Sequence, residues 1–178
     1  MLLIDVKLLF DRKEGFMKVI KQQANSTDCL VCGIYNKLGL HANFYEMEDG
    51  SVVALAEFKP QHQSYPDRTH GGMIASLIDE TIGRVLWITE PHNFAVTSTL
   101  TIKYRKPVPY GAKIKCIGKI ISNNTRGFTG EANIIDESGA VLASGTATYV
   151  RVPLDKVNNK NSEEFLVDGN DPLNDIDI

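Results

Sequence analysis

Residues 68–83, Arg68-Thr69-His70-Gly71-Gly72-Met73-Ile74-Ala75-Ser76-Leu77-Ile78-Asp79-Glu80-Thr81-Ile82-Gly83, read RTHGGMIASLIDETIG. From Met73 onward apolar residues recur at helical spacing, which predicts a buried helix running to about Thr89 and stopped by Pro91. Such a helix has little room for charge, yet it carries Asp79 and Glu80. The i−4 and i+4 neighbours of Asp79 are Ala75 and Gly83, small residues that leave space around the carboxylate. Glu80 points about 100° further round the helix, on the side of Ser76 and Trp87, and is expected to reach solvent or a basic partner. At the helix start Gly71 and Gly72 expose backbone N–H groups that have no intrahelical partner and carry the positive end of the helix dipole. Lacking a Cβ, they let a ligand approach. The pair therefore suits an oxyanion hole. Two glycines also suit a plain turn, and a helical Asp is most often a solvated surface group, so the stretch alone does not choose between these readings.

Outward from the helix the period changes. Residues 41–48 and 51–59 flank Asp49-Gly50 and read as a hairpin. Four strand-like runs follow the helix, at 95–105, 112–122, 127–136 and 141–152, with turn signals between them. Two strands, one long helix and four strands define an α+β layer architecture, one helix on a six-stranded antiparallel sheet. Such a sheet leaves edges and apolar surface open, so pairing with another copy is expected. Residues 1–27, with Val6, Leu9, Phe10, Phe16, Val19 and Ile20 as the apolar set, read as a helical extension. Residues 28–153 form the domain, and residues 154–178 an acidic flexible tail.

The chain has 178 residues, 43% hydrophobic, and a formal net charge of −3, which suits one domain and makes nucleic acid an improbable partner. No apolar run reaches the roughly 20 residues of a membrane span, and nothing resembles a signal peptide, so a cytoplasmic protein is expected. From residue 155 on, seven acids face two lysines, leaving 17 basic and 15 acidic side chains before it. Cys29, Cys32 and Cys116 give an odd count without a disulfide framework. Cys29 and Cys32 have CxxC spacing, but no second ligand pair follows, and two ordinary loop thiols with no bound metal are expected.

The segment HQSYPDRTHGGMIASLIDETIG, set between a strand hairpin and a strand ending KYRKPVPYGAKI, closely resembles the PaaI-like branch of the hotdog-fold acyl-CoA thioesterases, over roughly residues 28–152. The resemblance implies a hotdog fold, a central helix wrapped by the sheet. It implies hydrolysis of acyl-CoA thioesters to free acid and CoA, with CoA as part of the substrate and no separate cofactor. It also implies a homodimer, or a tetramer of two dimers, with active sites at the subunit interface.

Carried over by position, the resemblance makes Asp79 the carboxylate that activates water or attacks the thioester. Gly71, with Gly72 beside it, becomes the oxyanion-binding backbone, and His70 holds that loop. Thr97 is the hydroxyl residue that orients the water and comes from the other subunit. Where related enzymes often carry an Asn, six residues before the histidine, this chain has Ser64, with Gln63 beside it, and either can donate a hydrogen bond. CoA phosphates call for a basic surface, and Arg105, Lys106 and Arg126 are the group expected to supply it. Two other readings share the fold: a non-catalytic acyl-CoA-binding module, and an enoyl-CoA hydratase. The second is disfavoured because no histidine follows Asp79 before His92.

Overall fold

The computed structural model describes residues 15–91, 93–152, 166–167 and 173–178. The helix α1 spans Gly71–Val85 and continues as a single tighter turn, Leu86–Ile88. Its buried residues Ile74, Leu77, Ile78, Thr81, Ile82 and Val85 recur at the three- and four-residue spacing of one helical face.

That face lies against an antiparallel sheet of β1 (Phe16–Gln22), β3 (Asn43–Met47), β4 (Val52–Glu57), β5 (Phe94–Tyr104), β6 (Lys113–Asn124), β7 (Gly127–Ile135), β8 (Val141–Val152) and β10 (Asp175–Asp177). The spatial order is β10-β1-β3-β4-β6-β7-β8-β5, and the short strands β2 (Asn25–Ser26) and β9 (Leu166–Val167) pair separately. The hairpin β3–β4 turns at Asp49-Gly50, where Gly50 has φ 78°, as the sequence anticipates.

Two glycines on the sheet let the helix sit close. A Cβ at Gly130 on β7 would lie 2.5 Å from Ile82 Cγ2 and 2.8 Å from the Lys119 carbonyl. One at Gly145 on β8 would lie 2.6 Å from Ile78 Cγ2. At Gly145 the two nearest atoms are side-chain ends and the nearest backbone oxygen is 3.3 Å away, whereas at Gly130 the backbone of β6 stands in the way at 2.8 Å. Gly130→Ala is therefore expected to destabilise the fold by about 1–3 kcal/mol, read as a lower urea midpoint at unchanged slope.

The sheet has eight strands rather than six, and the two extra ones come from the chain ends. Phe16–Gln22, expected as helix, is a strand because Met17 and Val19 alternate with exposed Phe16, Lys18 and Ile20, and β3 offers a backbone partner. Residues 1–14, with Val6, Leu9 and Phe10, lie outside the described residues. The end of the expected flexible tail is likewise ordered: Asp175, Ile176 and Asp177 pair with β1. Ile176 is buried with Tyr45, Met47 and Val53 on the sheet face opposite the helix. Most of the tail's other residues are outside the description.

After the helix, Glu90 grips the Arg151 guanidinium at 2.6 and 3.1 Å, and Arg151 also donates to Asn123 Oδ1 and the Asn124 carbonyl. The Arg151 hydrogen bonds hold the Glu90 carboxyl below its usual 4.5. A depressed carboxyl adds stability that is complete above the unfolded-state value and lost as pH falls through the folded one. Glu90→Gln should therefore flatten the acid side of a stability-against-pH curve, by no more than about 1 kcal/mol for a half-buried pair still open to solvent.

Candidate active site

The donor end is built at the start of α1. His70 is the N-cap, extended at φ −62° and ψ 134°, and its Nδ1 accepts from the Gly72 amide at 2.9 Å. An accepting Nδ1 requires a neutral ring with its proton on Nε2. The His70 amide donates to the His62 carbonyl at 2.8 Å. His62 is fixed in turn: its Nδ1 accepts from the Lys59 amide and its Nε2 donates to the Leu38 carbonyl. Tyr104 donates its hydroxyl to the Gly71 carbonyl at 2.9 Å. The Gly72 N–H is thus already used, while the Gly71 N–H has no partner among the described residues. A cavity of about 510 Å³ borders Gly71, Gly72, Ser64, Tyr104, Arg105 and Lys106.

The carboxylate end lies eight residues on, about 12 Å along the axis at helical rise. Asp79 Oδ1 accepts from Thr97 Oγ1 at 2.8 Å and from the Tyr149 hydroxyl at 2.7 Å. The same Tyr149 hydroxyl lies 2.6 Å from the Asp79 carbonyl, so one proton is shared between two acceptors. Burial, then the negative charge of Asp79 and its hydrogen bond, push the Tyr149 phenol far above its ordinary range, so it remains a donor. Its ring stacks on Phe128 at 4.6 Å and 5°. Thr97 and Tyr149 sit opposite one another on β5 and β8, which delivers both hydroxyls to one carboxylate. Tyr149 is a site residue that sequence reading missed. It also takes up the room beside Gly83, where an added Cβ would meet its ring at 3.5 Å.

A second cavity, of about 260 Å³, borders Asp79, Thr97, Tyr149, Glu80, Cys29 and Cys32. Glu80 does have a partner: its carboxylate accepts from Arg84 Nε at 2.9 Å. Arg84 is only 3% exposed, lies over the Phe44 and Trp87 rings at 4.1 and 4.8 Å, and donates to the Ala24 carbonyl. Among the described residues, one cluster of metal-ligating types occurs, Cys29, Cys32 and Glu80. The hydrogen bond from the Cys32 thiol is the main reason the Cys29 thiol is held down to about 6, while the same bond and burial push Cys32 up.

Two expectations need correction. Thr97 was expected to reach Asp79 from a second subunit, but it does so within one chain, because β5 lies beside β8 and crosses the middle of α1. Arg126 does not group with Arg105 and Lys106. The amides of Arg105 and Lys106 bond the Leu142 carbonyl and the Arg126 carbonyl bonds the Arg151 amide, roughly 30 Å apart along β8 at strand rise. Ser64 and Gln63 are both exposed beside the donor end, and of the two Ser64 borders its cavity.

Removing the Tyr149 hydroxyl while keeping the ring on Phe128 isolates its hold on Asp79. For Tyr149→Phe, a hydrogen bond to a charged group worth about 1.5–3 kcal/mol is lost. If Asp79 serves in a hydrolytic reaction, the expected result is a fall in kcat of about tenfold or more with little change in KM, measured beside a thermal melt.

Residues 68–143 match a family described as the thioesterase superfamily. The chain is 26% identical over 111 residues to the Xenopus laevis acyl-coenzyme A thioesterase THEM4, which covers 61% of this chain and 49% of that protein. It therefore spans about half the length of that curated relative. The Escherichia coli PaaI protein superposes with TM-score 0.58 at 18% identity, covering 64% of this chain and 81% of that one. A Bacillus halodurans protein solved with CoA superposes with TM-score 0.56 at 26% identity, covering 62% and 73%. This chain carries a hotdog fold, one long helix against a large antiparallel sheet, and the part of it that builds the site matches the thioesterase superfamily model.

Proposed function

We propose that this chain hydrolyses acyl-CoA thioesters to free acid and CoA, at sites completed by two copies. The observation that carries this reading is the Asp79 carboxylate, held by Thr97 and Tyr149 at a cavity wall, about 12 Å from the Gly71 amide, which has no partner among the described residues. One carbonyl cannot touch both groups of a single helix. Asp79 from one copy and Gly71 from another serve the same thioester if the copies meet across a two-fold axis. The outer rim of β5, an 11-residue edge strand with Val96 and Tyr104 exposed, is a suitable meeting surface.

In such a site the Gly71 N–H donates to the carbonyl oxygen and stabilises the oxyanion as it forms. Asp79 Oδ1 is occupied by its two donors, so Oδ2 takes the proton from a water as that water adds to the carbonyl carbon. The tetrahedral intermediate collapses by breaking the C–S bond, and the CoA sulfur takes up a proton. Thr97, donating to Asp79, keeps lone pairs with which to orient the water. Arg105 and Lys106 stand beside the Gly71 cavity, where CoA phosphates need positive charge, and a partner's Arg126 would approach from the Asp79 side. The THEM4 relative named as an acyl-coenzyme A thioesterase and the CoA-bound neighbour support the substrate class.

A panel of acyl-CoAs of varied chain length and aromaticity, with release of free thiol as the readout, tests the reaction. Turnover on at least one member is expected. Tight binding of every member without thiol release would make the chain a binding module instead.

A further inference from the structure

We propose that Cys29, Cys32 and Glu80 form a binding site for a thiophilic divalent cation of the zinc class, in the wall of the cavity that holds Asp79. The ligating atoms of the three residues all lie within 4.8 Å of one another. Tetrahedral zinc holds two sulfurs at roughly 3.8 Å from each other, given Zn–S bonds of about 2.3 Å. Small side-chain rotations therefore bring the set onto one ion.

The local backbone supports the two sulfurs as metal thiolates are commonly supported. The Val31 amide donates to Cys29 Sγ at 3.3 Å and the Ser26 amide to Cys32 Sγ at 3.4 Å. Residues 29–33 close on themselves through Gly33 N–H to the Cys29 carbonyl at 2.9 Å. A Cβ at Gly33 would stand 2.3 Å from that oxygen, so only glycine closes this turn and presents both sulfurs together. Glu80 is oriented from behind, since Arg84 Nε takes its Oε1 and leaves Oε2 for the ion. A ligating carboxylate is commonly held by such an outer hydrogen bond, which Arg84 supplies here.

Two thiolates and a carboxylate bring three negative charges, enough to hold a dication beside the Arg84 guanidinium. The protons displaced from the Cys29 and Cys32 thiols on binding go to solvent. Three protein ligands leave a fourth position, and it opens to the cavity of about 260 Å³, where water can fill it.

The site is tested on the full chain, reduced and stripped with chelator, then titrated with Co²⁺. The expected result is about one Co²⁺ per chain with a sulfur-to-cobalt charge-transfer band, lost when Zn²⁺ is added. Cys29→Ser and Cys32→Ser should each weaken the band and the binding. Glu80→Gln should keep the band and lower affinity by about 10-fold or more. The proposal fails if the wild-type chain gives no sulfur band, or if the band survives in the Cys29→Ser/Cys32→Ser double variant. Unchanged affinity in Glu80→Gln would remove Glu80 from the site. The wild-type titration alone can overturn the proposal, whatever the variants do to folding, and hydrolytic activity plays no part in it.

Discussion

Asp79→Asn is expected to lower kcat/KM for acyl-CoA hydrolysis by about 10² to 10⁴, the span of a lost general base. The replacement is isosteric. Its amide oxygen still accepts from Thr97 and Tyr149 in the place of Oδ1, so the donors that hold the side chain stay satisfied. What disappears is the oxygen proposed to take the proton from water. The loss should fall on kcat, because an interaction made only in the transition state is removed. A thermal melt should show a folded protein. A variant within about threefold of wild type would mean that Asp79 does no proton transfer.

The second large effect concerns one backbone hydrogen. Gly71 is the first residue of α1, the position where proline is best tolerated, because its N–H has no intrahelical partner to lose. The residue before a proline must be extended, and His70 already is, at ψ 134°. Gly71→Pro therefore deletes the proposed oxyanion donor while sparing the helix. A fall in kcat of about 10² to 10³ is expected. Gly71→Ala is the control, since alanine keeps the amide and its Cβ would meet the Tyr104 hydroxyl at 3.1 Å, a contact that a side-chain movement relieves. Equal activity of the proline and alanine variants in the thiol-release assay would exclude the amide as a catalytic donor.

Much of the architecture was legible because each element carries its own period. The hairpin at Asp49-Gly50, the four strands after the helix and the helix start at Gly71-Gly72 all follow from local patterns. The strands at the two ends were not legible, because β10 becomes a strand by pairing with β1 across almost the whole chain, and β1 by lying between β10 and β3. In the site, Asp79 stood out as a carboxylate in an apolar helix, whereas Tyr149 looked like one more residue of an alternating strand. Only the register that sets Tyr149 against Thr97 reveals it. The same register moves Thr97 from the partner to the same chain as Asp79. Glu80 and Arg84 have the spacing of a helical ion pair, but the importance of the pair comes from Arg84 lying over Phe44 and Trp87, which no local pattern encodes. Cys29 and Cys32 announce themselves as CxxC, while their third neighbour, Glu80, is supplied by the fold alone.

Sharing of each site between two copies is best tested by mixing the two inactive proteins. In a dimer of one Asp79→Asn chain and one Gly71→Pro chain, the first supplies an intact Gly71 and the second an intact Asp79. One of the two sites is then whole. With random exchange between the variants, shown by mass or tag, activity should recover to about a quarter of wild type, since half the dimers are mixed and each has one working site. Activity that stays at the level of the two separate variants after demonstrated exchange would refute a site built from two chains.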